Sequence, residues 1–498
     1  MLLMSAALLA SAQKPPAAGA QPLYTGVTNI GTRAPLGFER TRATGAQFIR
    51  IPLYWGGTAP ERLPQGDNPS VPHYAEDPGV PHYANWTPED PGDPRYEWGE
   101  SDDDVTRAVA AGLTPVLQID GAPEWAQRCK TPPVVVPAIC NPDPAALRAF
   151  ATAAARRYSG ATPGIPAVRY WQALNEPNLS LFFFPQYDTA GNALSPELYR
   201  HLVNAFYAGI KTVSQDNVVL AAGLGPIAVP PWTIGPMQFA RELLCMRGSR
   251  RPKPAPGDCG GGVHFDVFAI QPYTTGAPTR KGKANDVQLG DLGKLQRLLS
   301  AADRAGRIKS SFPRTPLWIT EFSWDTKPPD PGGLPMRIEK RWTAEALYRA
   351  WRAGVDHFFW FSLRDDVHDP DRKYSETLQS GLYFRGPTVE QDRPKPILQA
   401  FRFPFVAYPK QGKLKFWGRT PTSGPGEVRI QLLRGGRWRD ALVVEADSQG
   451  IFRGRIPTKY GHNQQGSARA RFANSSTVPF SMRPVEDFRH PPFGAKTG

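Results

Sequence analysis

Two glutamates carry the strongest chemical signal in this chain. Glu176 lies in VRYWQALNEPN and Glu321 in PLWITEFSW, each at the end of a short apolar, β-rich run. A carboxyl kept protonated can hand its proton to a departing oxygen, and a carboxylate kept ionised can attack carbon. Sharing one reaction in this way requires both groups on the same rim of one scaffold, in unlike surroundings. Either glutamate alone reads more readily as a surface ion-pair partner.

The elements that would position them follow from periodicity. From Gln21 to about Phe403, short β-rich segments alternate with amphipathic helical ones, the pattern of β/α units around a parallel sheet. Strands are expected over Tyr24–Ile30, Ala46–Tyr54, Thr114–Asp120, Val168–Asn175, Val218–Leu224, Phe265–Tyr273, Pro316–Phe322 and His357–Leu363. Helices are expected between them, for example over Asp103–Ala111, Ala145–Tyr158, Pro196–Ser214, Asp291–Ala305 and Ile338–Ala353. Eight such units specify an α/β fold of the (β/α)8 TIM-barrel type over residues 21–403, with its active site at the C-terminal ends of the strands. That places Glu176 after the fourth strand and Glu321 after the seventh, both on the catalytic rim. Beyond Phe405 the pattern becomes alternating strands and turns, which predicts a small all-β sandwich over residues 404–490. It serves either as a buttress or as a sugar-binding module.

Cleaving a glycosidic bond with retention of configuration requires such a carboxyl pair, about 5–5.5 Å apart. On the Asn175-Glu176-Pro177 segment ending strand four and Glu321 ending strand seven, the chain resembles the clan A glycoside hydrolases; YEWGESDDDVTRAVAAGLTPVLQIDGAPEWA, residues 96–126, resembles family 39-like members. The resemblance implies a retaining O-glycosyl hydrolase with Glu176 as acid/base and Glu321 as nucleophile. It further implies that Arg50 contacts the nucleophile, that Tyr273 hydrogen-bonds it and that Asn175 binds the sugar 2-hydroxyl. Trp360 then matches the aromatic floor under the attacked sugar. Gln271 stands where several clan families carry His, and Phe322 follows Glu321 where some carry Trp or Gly, so a family 5-like assignment and the sugar itself stay open. Asp120, Trp125, Phe182 to Phe184 and Trp324 fall near strand ends, where they can meet a substrate or simply pack. Asp365, Asp366 and Asp369 read as a solvated loop.

The start, MLLMSAALLASAQ, is apolar from Met1 to Leu9 and then offers Ala10-Ser11-Ala12, the pattern of a signal peptide over residues 1–12. Cys129 with Cys140 and Cys245 with Cys259 form two local pairs that an oxidising compartment would join, so a secreted, extracellular or periplasmic protein is expected. No C-x-x-C occurs and His is sparse, so no metal and no cofactor is expected. The formal charge of +14 comes from scattered Lys and Arg, which argues against nucleic acid; an oligosaccharide or polysaccharide partner is what the clan A resemblance implies. No apolar run approaches the roughly 20 residues of a membrane span. A transglycosylase on the same scaffold, or a barrel that binds sugar without turnover, fits the same residues. The sequence leaves linkage, exo or endo action and oligomeric state open.

Overall fold

The computed structural model describes residues 21–60, 86–129, 139–257, 259–368, 374, 377–457 and 466–483. The expected signal segment, Asp369, and the end of the β region past residue 483 lie outside the described residues. Eight parallel strands close into a barrel: β1 Tyr24–Thr28, β2 Phe48–Tyr54, β3 Thr114–Asp120, β4 Tyr170–Ala173, β5 Val218–Leu224, β6 Val267–Ile270, β7 Leu317–Ile319 and β8 Val355–Phe361. Around them run α1 Pro35–Ala43, α2 Gly99–Ala110, α3 Pro144–Arg157, α4 Ser195–Val213, α5 Pro236–Leu243, α6 Leu292–Arg304, α7 Met336–Arg352 and α8 Pro396–Arg402.

Local chemistry sets these elements. In α3, Asp143 caps the first turn by accepting from the Ala145 amide, Pro144 occupies a position that needs no amide donor, and Arg156 and Arg157 close the last turn. In α4, Tyr199, Leu202, Val203, Phe206 and Ile210 recur at helical spacing and are all buried. Each large apolar side chain buried in this way contributes about 1.5–3 kcal/mol. The two helices approach closely because residue 209 is glycine: a Cβ there would lie 2.5 Å from the Arg148 carbonyl oxygen.

Inside the barrel, Phe48, Val116, Val218, Leu220, Val267, Trp318 and Phe359 form a separate apolar layer. Side chains in a strand alternate faces, so the residues two places further along rise above that layer. They are Arg50 on β2, Gln118 on β3 and Phe361 on β8. Strands β1, β4, β6, β7 and β8 stop earlier than expected. Past β4 the backbone leaves extended geometry, with Leu174 at φ 61° and Glu176 at φ 39°, values uncommon for residues with a Cβ.

The chain ends in two antiparallel sheets. One contains β9 Phe405–Lys410, β10 Lys413–Arg419 and β13 Ile451–Pro457; the other is built on β11 Gly426–Arg434, β12 Arg437–Ala446 and β14 Ser467–Phe472. Arg419 of β10 is fully buried and donates to the Leu23 carbonyl (3.0 Å) and Thr25 Oγ1 (3.1 Å) of the barrel. Burial without an anionic partner pushes its pKa down to about 10. Trp417 packs against Tyr348 and Trp351 of α7, centroids 5.4 and 5.5 Å away. This seam supports the barrel from the side of α7 and β1. Disulfides join Cys129 to Cys140 and Cys245 to Cys259, with Cα atoms 5.3 and 6.1 Å apart.

Candidate active site

A cavity of about 980 Å³ opens at the C-terminal ends of the strands, and Arg50, Asn175, Glu176, Gln271, Tyr273 and Glu321 all line it. Arg50 is the hub. Its guanidinium donates to Glu321 Oε1 at 2.6 Å, Asn175 Oδ1 at 2.7 Å and Gln172 Oε1 at 2.9 Å, all in the buried interior. The Tyr273 hydroxyl donates to the other Glu321 oxygen at 3.0 Å. Glu321 therefore has a guanidinium donor on one oxygen and a hydroxyl donor on the other.

Glu176 is placed differently. Burial is the main cause that raises its pKa well above the ordinary carboxylate range; the charge of Glu321 adds to it and Arg50 partly opposes it. The carboxyl fits because residue 225 lacks a side chain: a Cβ on Gly225 would stand 3.0 Å from Glu176 Oε1. Burial and the charge of Glu321 likewise push the Tyr273 phenol well upward, so it remains a donor.

Asn175 Oδ1 accepts twice, from Arg50 and from Gln271 Nε2 at 2.8 Å. Its amide oxygen is thus occupied and its NH2 group is the part left for the cavity. Gln172 accepts from Arg50 and donates to the Leu174 carbonyl at 3.1 Å, which ties the guanidinium to the bend that presents Asn175 and Glu176. Nothing in the local sequence around Gln172 separates it from a core glutamine. The signal was its position: two residues beyond the lumen-facing Tyr170, level with Arg50.

Two expected site residues are not in the cavity. Trp360 is fully buried, donates from Nε1 to the Ser380 carbonyl at 2.8 Å and packs edge-on against Phe401 of α8, centroids 6.0 Å apart. The alternation that puts Phe359 in the lumen puts Trp360 on the helix side, and Phe361 is the β8 aromatic that lines the cavity. Trp125 likewise packs edge-on against Trp55 (6.2 Å) and Trp86 (5.3 Å) and donates to the Pro60 carbonyl, away from the cavity lining.

Of the other aromatic candidates, Phe182 lines the cavity, while Phe183 and Trp324 are buried elsewhere in the core. Asp120 lines it too, held by the Gly121 amide at 3.0 Å and Gln118 Nε2 at 3.1 Å; burial raises its pKa. Asp365 is not on a solvated loop. It is buried beside Lys395 at 2.5 Å, and burial pushes its pKa up to about 6 despite that cation. Among the described residues no cluster of His, Cys, Asp and Glu could hold a metal, and no helix is long and apolar enough to cross a membrane.

No family model matches the chain, and no curated protein matches it. Solved structures do. One is a family 39 glycoside hydrolase from the gut symbiont Bacteroides cellulosilyticus WH2, 16% identical over 88% of this chain and 81% of that one, with a TM-score of 0.50. Another is the GH39 enzyme from Xanthomonas axonopodis pv. citri, 14% identical over 88% of this chain and 91% of that one, TM-score 0.46. A third is a GH30 endoxylanase from Clostridium papyrosolvens C71, 11% identical over 88% and 94%, TM-score 0.42. At 16% identity the first likeness shows a shared fold, and the fold is the one that the clan A resemblance implied.

Proposed function

We propose that this protein is a secreted glycoside hydrolase that cleaves O-glycosidic bonds of a carbohydrate with retention of anomeric configuration. The observation that carries the reading is the unlike environment of two carboxyls on one cavity: Arg50 and Tyr273 on Glu321, burial on Glu176. In the first half-reaction a Glu321 oxygen attacks the anomeric carbon, the glycosidic C–O bond breaks, and the Glu176 proton passes to the departing oxygen. In the second, Glu176 takes a proton from water, the water oxygen bonds to the anomeric carbon, and Glu321 leaves as a carboxylate. Arg50 and Tyr273 orient Glu321 by hydrogen bonds to its two oxygens, and the Asn175 amide is the group that would meet a sugar hydroxyl. The two disulfides support export to an oxidising compartment.

The test begins with a panel of aryl glycosides and polysaccharides. On the aryl substrate that is turned over, Glu321→Gly is expected to be inactive and to regain activity with azide, forming a glycosyl azide of inverted configuration. No rescue, or an azide product of retained configuration, counts against Glu321 as the nucleophile.

A further inference from the structure

The cavity has two chemically unlike sides. Next to β1, β2 and β3 its lining mixes apolar side chains such as Ile30, Ile49 and Ile51 with polar ones, among them Asn29, Thr32, Gln118 and Asp120. The loops after β4 and β5 line it with Leu179, Leu181, Phe182, Pro226, Ile227 and Val229. The one hydroxyl of that second side, Thr233, is used internally: it donates to the Ile227 carbonyl and accepts from the Val229 amide. Leu181 and Val229 are 45% and 47% exposed, and Trp232 on the same loop is 53% exposed. Contiguous exposed apolar surface beside a cavity marks a ligand-binding face.

This wall is braced. The Ser180 amide donates to the Trp232 carbonyl and the Ile234 amide to the Asn178 carbonyl, both at 2.9 Å. The buried Asn178 side chain accepts from the Gly225 amide at 2.8 Å and donates to the Ile234 carbonyl at 2.9 Å. The wall is also rooted at the proposed acid, because a Cβ on Gly225 would meet both Glu176 Oε1 and Leu179 Cδ1 at 3.0 Å. A general acid must lie against the departing oxygen, so the surface that adjoins Glu176 faces the leaving group.

Resting on the hydrolase reading, we infer that the loops after β4 and β5 form a leaving-group subsite for an apolar aglycone, an alkyl or aryl group, in preference to a second sugar. A sugar ring placed there would exchange hydrogen bonds with water for side chains that can neither donate nor accept. An alkyl or aryl group would instead cover surface that is now exposed to water.

The experiment uses the methyl, n-butyl and n-octyl glycosides of the sugar accepted in the aryl panel, together with a disaccharide of the same glycone. Simple alkanols differ little as leaving groups, so the series reports aglycone binding. The expected result is a rise in kcat/KM of about tenfold or more from methyl to n-butyl, with the disaccharide below n-butyl, and collapse of the butyl-to-methyl ratio in Leu181→Asp. A flat alkyl series with the disaccharide preferred overturns the subsite while leaving the hydrolase reading intact. Turnover of no glycoside counts against hydrolysis, and binding of the neutral fluorophore N-phenyl-1-naphthylamine then tests the wall by itself. Saturable binding that Leu181→Asp and Val229→Asp each weaken supports it, and binding that is absent or unchanged in both overturns it.

Discussion

Replacing Arg50 with lysine is the sharpest test of the site, because the guanidinium serves three acceptors in three directions. Its bonds to Glu321, Asn175 and Gln172 measure 2.6, 2.7 and 2.9 Å. An ammonium is a compact charge on a flexible stem and cannot reproduce that planar fork. Holding Glu321 would leave the buried Gln172 Oε1 without its donor, at about 1–3 kcal/mol, and Asn175 Oδ1 with Gln271 alone. Arg50→Met goes further, removing the cation from a buried pair at a cost of about 3–5 kcal/mol. With about 1.36 kcal/mol per decade of rate, and if the whole cost falls on the transition state, Arg50→Lys should lower kcat/KM by about 10- to 10²-fold, and Arg50→Met by about 10²- to 10⁴-fold. The assay is kcat/KM on an aryl glycoside with an activated leaving group, for which acid assistance matters least, with the folded fraction measured in parallel by thermal unfolding. A purely structural Arg50 would lower the melting temperature while the folded fraction kept its activity. An Arg50→Lys protein with kcat/KM within about threefold of the parent would refute the hub.

Three further outcomes are expected. Glu176→Gln should cost about 10²- to 10⁴-fold on alkyl glycosides and far less on dinitrophenyl glycosides. Because Glu176 must hold its proton and its pKa is raised, the parent kcat/KM should fall as pH rises through that value, and this alkaline limb should be missing from the pH profile of the variant. Glu339 on α7 is fully buried, both its carboxyl oxygens lack a hydrogen-bond partner among the described residues, and burial raises its pKa well above the usual range. Stability tied to its proton is fully present below about pH 4.3 and lost as pH rises through the raised value, so Glu339→Gln should raise the melting temperature at pH 8 and change it little at pH 4. Finally, Trp360→Ala should lose about 3–5 kcal/mol of stability, whereas Phe361→Ala should mainly raise KM and lower kcat, as steady-state kinetics and calorimetry together would show.

The barrel was legible because strands that alternate with amphipathic helices leave two distinct periods in the chain. Seven of the eight strands fall within their expected segments and the eighth overlaps its own, starting two residues early at Val355; the errors lie at strand ends, as after β4, where Leu174 and Glu176 take up left-handed backbone angles that no propensity anticipates. Glu176, Glu321, Arg50, Asn175 and Tyr273 meet at one cavity, as strand-end positions required. Trp360 was misplaced for a physical reason. Strands in a parallel barrel are buried on both faces, so HFFWF shows no polar alternation and the face of each aromatic depends on register alone; a one-residue slip reverses every side chain. Phe359, packed in the lumen with Phe48 and Trp318, settles that register. Asp365 was misread because its partner Lys395 is remote in sequence, and only the fold brings the two within 2.5 Å.

The proposed chemistry depends less on having two glutamates than on keeping them unlike, and the unlikeness is arranged to reverse. Glu321 carries the cation and the phenol, while Glu176 carries burial and the field of Glu321. Once Glu321 is bonded to a sugar its charge is gone, and one of the two causes that hold the Glu176 proton goes with it. Glu176 then loses that proton more easily in the intermediate, which is the state in which it must accept one from water. Arg50 and Gln271 both donate to Asn175 Oδ1, so the amide has two holds that do not depend on the charge of Glu321. In the proposed cycle, gain and loss of the Glu321 charge thus let one carboxyl act first as acid and then as base.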